Sequence, residues 1–157
     1  MYRFKIYVDS REKKPYSFRN YPVTTEEKKL KTGDYCVATD GNSMGGNSFD
    51  PHYATERKSA NDFLRSITHD RDRYEDELAR ADEFAARMPV MVERKLSWFE
   101  KEEYFQDVNV NSIMGTINTH PAVYNVDYHF RKGREPSEHL TYEFLNWRYK
   151  KLKQRRE

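Results

Sequence analysis

Glu56-Arg57-Lys58-Ser59-Ala60-Asn61-Asp62-Phe63 is the stretch on which the reading of the fold turns. Tyr53 to Arg57 has the composition of a short strand, and Ser59 follows it with Asp62 three residues on, the spacing of a helix capping box. Phe63, Leu64 and Ile67 then recur at helical steps. A strand that passes directly into a capped helix sets its last side chains at the rim of a sheet. On such a strand Glu56 and Lys58 point to one face and Arg57 to the other, because the side-chain period is two.

Working upstream, Tyr2, Phe4, Ile6 and Val8 alternate with Arg3, Lys5 and Tyr7, a strand pattern that stops at Asp9-Ser10-Arg11-Glu12 ahead of Pro15. The turn Lys31-Thr32-Gly33-Asp34 leads into a second strand, Tyr35 to Thr39. Residues 40–51, with Gly41, Gly45 and Gly46, read as a flexible insertion before the strand that carries Glu56. Working downstream, Tyr74, Leu78, Ala81, Ala85 and Met88 predict a long helix from about Arg71, ended by Pro89. Val90-Met91-Val92 reads as a buried strand running into Glu93, and Val110, Ile113, Met114 and Ile117 as a helix capped by Asn109 or Asn111. Val123 to Tyr128 is a further strand. A last helix begins near Pro136 and carries Leu140, Phe144 and Trp147 toward a basic tail, residues 148–157. Strands alternating with helices, without repeat or linker, predict one α/β domain over residues 1–157 with a mixed sheet. Ligands of such sheets gather where strands end. Asp9 to Glu12, Asp34 and Glu56 all fall at such ends.

The 157 residues carry 28 Lys or Arg against 26 Asp or Glu, so the net charge of +2 does not by itself select a nucleic-acid partner. The charge is uneven, however: six of the last twelve residues are basic. The single cysteine, Cys36, excludes a disulfide framework and Cys-rich zinc modules, and reads as a small core residue. The five histidines lack metal-ligand spacing, no phosphate-loop pattern suggests a nucleotide cofactor, and no serine sits in a hydrolase elbow. No apolar run approaches the roughly 18–20 residues of a membrane span, and the N-terminus lacks a signal-peptide core. The expectation is an intracellular, cytoplasmic protein with no membrane partner.

Asp34 and Glu56 are the hard oxygen donors that magnesium prefers, and two carboxylates with one backbone carbonyl suffice because that ion keeps several waters. The Arg57 carbonyl is a better candidate ligand than its side chain. Lys58, on the Glu56 face, is placed to orient an attacking water or to stabilise a pentavalent phosphate. In a chain that is 34% charged, the same pattern also reads as a solvated face.

The order of the surrounding motifs adds to this. Val8-Asp9-Ser10-Arg11-Glu12, Lys31-Thr32-Gly33-Asp34-Tyr35 and Glu56 to Phe63, followed by Arg73-Tyr74 and Pro89 to Glu93, closely resemble the ERCC4-type nuclease domain of the XPF/Mus81/Hef structure-specific endonucleases. The resemblance implies a restriction-endonuclease-like fold. It also implies Mg2+- or Mn2+-dependent cleavage of branched, flapped or junction DNA in repair, recombination or replication. By the same resemblance Asp34 and Glu56 ligate the metal with the Arg57 carbonyl, Lys58 assists the water, and Asp9 completes the site. Asp62 is the last acid of the motif, beside its capping role. Arg11 and Glu12 are read as orienting carboxylates through ion pairs. Arg11, Arg57, Arg65, Arg71, Arg73 and Lys95 are candidate DNA contacts, and either Arg71 or Arg73 matches the family arginine, Arg73 being favoured because Tyr74 then aligns. The gap before Glu56 is longer than the family's, and a stand-alone domain without helix-hairpin-helix or helicase segments is expected. The resemblance further implies a homodimer, with Trp98, Phe99, Tyr104, Phe105 and the last helix's aromatics as anchors, against the reading that all serve one core. The alternatives are a catalytically silent DNA-binding or scaffold subunit and a nuclease without branch preference.

Overall fold

The computed structural model describes residues 3–38 and 53–154. The first strand, β1 (Phe4–Asp9), is sandwiched between β2 (Val23–Lys28), which runs parallel to it, and β3 (Tyr35–Ala38), which runs antiparallel. The expected face of β1 holds Phe4, Ile6 and Val8, but Tyr7 on the other face is buried as well, packed with Leu30, Cys36 and Ala54. The strand β2 has no counterpart among the sequence expectations. Its Val-Thr-Thr-Glu-Glu-Lys run shows no apolar alternation because it forms the edge of the sheet, where charged side chains are tolerated.

The second half of the sheet comprises β4 (Glu56–Lys58), β5 (Met88–Val92) and β6 (Val126–Phe130), all parallel, in the order β4-β5-β6. An antiparallel bridge between Tyr35 and Thr55 joins the halves, so the expected mixed sheet forms as two three-stranded parts meeting at the glycine-aspartate turn. All five residues of β5 are buried, as befits a central parallel strand covered on both faces.

The helices are α1 (Ala60–Ile67), α2 (Arg71–Arg80), the short α3 (Leu96–Glu100), α4 (Val110–Val123) and α5 (Arg134–Gln154). Ser59 caps α1 by accepting the Asp62 amide at 3.1 Å, and Asn109 caps α4 by accepting that of Asn111 at 2.8 Å. The long helix expected from Arg71 to Met88 stops at Arg80. A 3-10 turn at Ala81–Glu83 follows, and Met88 and Pro89 belong to β5. The Asn125 side-chain amide accounts for this, since it donates to the carbonyls of Ala81, Phe84 and Ala86 and holds them out of a helical ladder. Pro89 precedes Val90, the first β5 residue paired with β4, so its missing amide costs that ladder nothing. The strand expected at Val123 starts at Val126, because α4 runs on through Val123.

Helices α1 to α4 cover one face over a core of Phe63, Leu64, Leu78, Val90, Phe99 and Ile113. Helix α5 covers the other face, where Tyr142 and Leu145 pack on Phe4, Ile6, Phe18 and Tyr35. Residues 148–154 of the basic tail continue α5; 155–157 and the insertion at 40–51 lie outside the described residues. No described helix is long and apolar enough to cross a membrane.

Candidate active site

Gly33 adopts a left-handed conformation (φ +83°), and a Cβ there would stand 2.6 Å from that of Ala54. Only glycine lets the chain turn this close to the strand leading into β4. The next residue profits: the amide of Asp34 donates to Thr55 O at 2.8 Å, and its carboxylate accepts the Arg57 amide at 2.7 Å. The carboxylate therefore lies along the open edge of β4. In an extended strand the amide and carbonyl of one residue leave by the same edge. The Arg57 carbonyl accordingly faces the Asp34 side, whereas Lys58 O faces β5 and accepts the Glu93 amide at 3.0 Å.

Asp34 and Glu56 share this edge. Burial pushes the Asp34 carboxyl well above its usual range, Glu56 and Glu12 push it further, and the Arg57 amide and Lys58 oppose them. Burial also raises Glu56, with Lys58 the strongest opposing influence and Glu77 and Glu12 adding to the rise. Among the described residues Glu56 Oε2 is buried without a hydrogen-bond partner. A carboxylate oxygen in that state is costly unless a cation or proton meets it.

The Arg57 side chain, on the other face of β4, heads an ion-pair network. The Arg57 guanidinium lies between Glu12 (3.0 Å) and Glu93 (2.8 Å), with side-chain exposures of 7–8% for all three. Tyr16 donates its hydroxyl to Glu93 at 2.6 Å. The Arg57 side chain, expected to contact DNA, has its charge paired with two buried carboxylates while lining the same cleft as the acids. Glu12, expected to orient carboxylates, is found paired with Arg57. Arg11 pairs with Asp9 at 3.1 Å, and Asp9 also accepts the Leu30 amide at 2.9 Å.

An open cleft of about 820 Å3 runs along this edge, lined by Asp9, Asp34, Glu56, Lys58 and Asp62 together. Among the candidate DNA contacts, Arg11, Arg57, Arg65 and Arg73 also line it; Arg71 and Lys95 do not. Arg71 turns inward to Glu75, the Ile67 carbonyl and the Thr116 hydroxyl, at 2.9–3.1 Å. Arg73 is 74% exposed and among the described residues pairs only with Asp70. Sequence reasoning missed Lys31, Ser66, Glu77, Arg80 and Arg134 of the cleft wall. A usable signal was present for two of them: Arg73, Glu77 and Arg80 stand at i, i+4 and i+7, on one face of α2.

The donor set fits a hard divalent cation in kind, with two carboxylates, one of them carrying the orphaned oxygen, and a backbone carbonyl on the Asp34 side of β4. Among the described residues no group of three or more His, Cys, Asp or Glu side chains is assembled to hold a metal alone, so solvent would have to fill the remaining positions, as magnesium allows.

Comparison with known proteins agrees with this architecture. The structure of XPF from Aeropyrum pernix in complex with DNA superposes with a TM-score of 0.65 at 18% identity, over 94% of this chain and 66% of that one. A second structure of XPF from the same organism gives 0.68 at 18%, over 91% and 60%. The chain thus spans somewhat less than two thirds of the length of these relatives. No match is found among curated proteins. The model of the ERCC4 domain matches residues 8–144, from the end of β1 into α5 and across every element that lines the cleft. The chain belongs to the ERCC4 domain family.

Proposed function

We propose that this chain is a divalent-metal-dependent DNA endonuclease that hydrolyses phosphodiester bonds in branched, flapped or junction DNA. The observation that carries the reading is the Asp34–Glu56 pair at the open edge of β4, with Glu56 Oε2 unpartnered and Lys58 on the same strand face. Asp34, Glu56 and the Arg57 carbonyl would hold Mg2+ or Mn2+, with Asp9 and Asp62 at the same cleft. Such an ion, when bound, neutralises charge at the scissile phosphate and acidifies a coordinated water. Lys58 presents an ammonium to the developing phosphate charge and orients the attacking water. Arg65, Arg73 and Arg80 line the cleft wall and fit phosphates flanking the cut. The DNA-bound relative supports the polymer as substrate, and an intracellular role in repair, recombination or replication goes with it. A silent scaffold role is disfavoured, since a subunit without chemistry has no use for a buried, unpaired carboxylate oxygen.

The deciding experiment offers a splayed fork, a flap, a four-way junction and plain duplex, each with and without Mg2+ or Mn2+. Cleavage of the branched substrates only with metal, abolished in Glu56→Gln, is the expected result. Equal cutting of plain duplex removes the branch preference, and no cutting of any substrate by the wild type removes the enzyme.

A further inference from the structure

Lys58 is held by two groups from the helices that follow it. Its Nζ donates to Ser66 Oγ of α1 at 2.9 Å and stands 4.7 Å from the ring centroid of Tyr74 on α2. Among the described residues it forms no ion pair. A hydroxyl and the face of an aromatic ring can locate an ammonium without neutralising it, whereas a carboxylate partner would cancel the charge that a phosphate needs. Ser66 and Tyr74 are themselves buried, at 7% and 2% exposure.

Tyr74 is fixed in turn by a run of hydrogen bonds through the interior. Its hydroxyl lies 2.9 Å from that of Tyr128, which lies 2.7 Å from His120 Nδ1, and His120 Nε2 lies 3.3 Å from Glu75. Burial lowers the His120 pKa, which leaves a neutral ring with one N–H. The Glu75 carboxylate faces Nε2 as an acceptor, so that proton belongs on Nε2. Nδ1 then accepts from Tyr128, and Tyr128 accepts from Tyr74. All donors along the chain point away from Lys58. A phenol that donates its proton gains electron density in its ring, and the ring face is what the ammonium meets.

We propose that Ser66 and Tyr74 are positioning residues for Lys58, fixing its ammonium at the cleft wall, and that Tyr128, His120 and Glu75 set the orientation of Tyr74. The proposal rests on the nuclease reading of Lys58, and the test keeps the two separate. The full chain is labelled with 13C-lysine, and the Lys58 ε-methylene signal, assigned through Lys58→Arg, is followed beside steady-state cleavage with Mg2+. In the wild type the ring current of Tyr74 displaces that signal. Tyr74→Phe retains the displacement and Tyr74→Leu abolishes it. Ser66→Ala shifts the signal and lowers kcat about ten- to hundredfold with KM unchanged, the scale of loss when a reacting group is misplaced. Ser66→Thr, which restores a hydroxyl, recovers most of the rate. Should Tyr74→Leu fail to fold, Ser66→Ala and Ser66→Thr decide alone. A Ser66→Ala protein with wild-type kcat and an unmoved Lys58 signal overturns the proposal, as does a change confined to KM. If the wild type cuts no DNA, the nuclease reading falls, and the Lys58 signal in the variants still judges the positioning.

Discussion

At the scale of single residues, the site stores free energy that can be measured. Burial and mutual repulsion raise the Asp34 carboxyl, and burial raises that of Glu56, so the folded chain holds these protons more firmly than the unfolded one. Their contribution to stability is therefore fully present below the ordinary carboxylate range, about pH 4, and is lost as pH rises through the elevated folded values. At neutral pH the ionised pair costs stability unless a cation meets it. Glu56→Gln should thus abolish cleavage yet melt higher than the wild type in a chelator at pH 7 to 8, with the gap closing as pH falls toward 4. Adding Mn2+ should raise the melting temperature of the wild type and leave Glu56→Gln where it was, by simple linkage. Differential scanning calorimetry with and without the metal reads both effects. An unchanged or lower melting point in Glu56→Gln would contradict the strain assigned to this carboxylate.

Arg57 makes the opposite prediction from the same strand. Arg57→Ala leaves Glu12 and Glu93 buried without their cation, a loss that costs about 3–5 kcal/mol. Urea unfolding checks this. Arg57→Lys should recover only part of it, because an ammonium cannot bridge two carboxylates as a guanidinium fork does.

At the scale of elements, α2 separates two jobs along its length. Its inner face buries Tyr74 and Leu78, and its cleft face presents Arg73, Glu77 and Arg80. Arg73→Ala and Arg80→Ala should each weaken DNA binding and reduce the slope of log K against log salt by about one unit, as loss of one phosphate contact does. Arg71→Ala should leave that slope alone and lower stability, since Arg71 bonds inward to Ile67 O and Thr116. Fluorescence anisotropy over a salt series distinguishes the three. A flattened slope in Arg71→Ala alone would reverse the assignment of faces.

At the scale of the whole molecule, the aromatic surplus is divided. Tyr142 is buried, and Tyr149 stacks on Phe4 at 4.9 Å between centroids, so most aromatic area of α5 serves its own core. Trp147 is left 58% exposed on the same helix. We propose that this side of α5 meets a second copy of the chain, for which Trp147 is the anchor that interfaces favour. Sedimentation over the micromolar range should show a dimer in the wild type and a monomer in Trp147→Glu. A wild-type monomer throughout sinks the proposal.

What could be read in the chain itself was local. The alternation of β1, the cap at Ser59, the buried run of β5 and the ordered acids around Glu56 each depend on residues a few positions apart, so burial and backbone geometry print them directly as period and spacing. The placing of Asp9, Asp34 and Glu56 at strand ends was legible for the same reason, with Lys58 two residues on, whereas Asp62, the third residue of α1, stood out through its cap spacing and the resemblance to the ERCC4-type domain. Tertiary structure alone decided the rest. The polar edge strand β2 exists because β1 offers it a partner, and α2 stops at Arg80 because Asn125 claims the carbonyls beyond. Arg57 is internal because Glu12 and Glu93 converge on it from 45 and 36 residues away, and Tyr74 reaches Tyr128 across 54. Hydrogen bonds and ion pairs between distant residues leave no periodic trace in a sequence, because any polar side chain at the surface looks the same until the fold brings its partner to it.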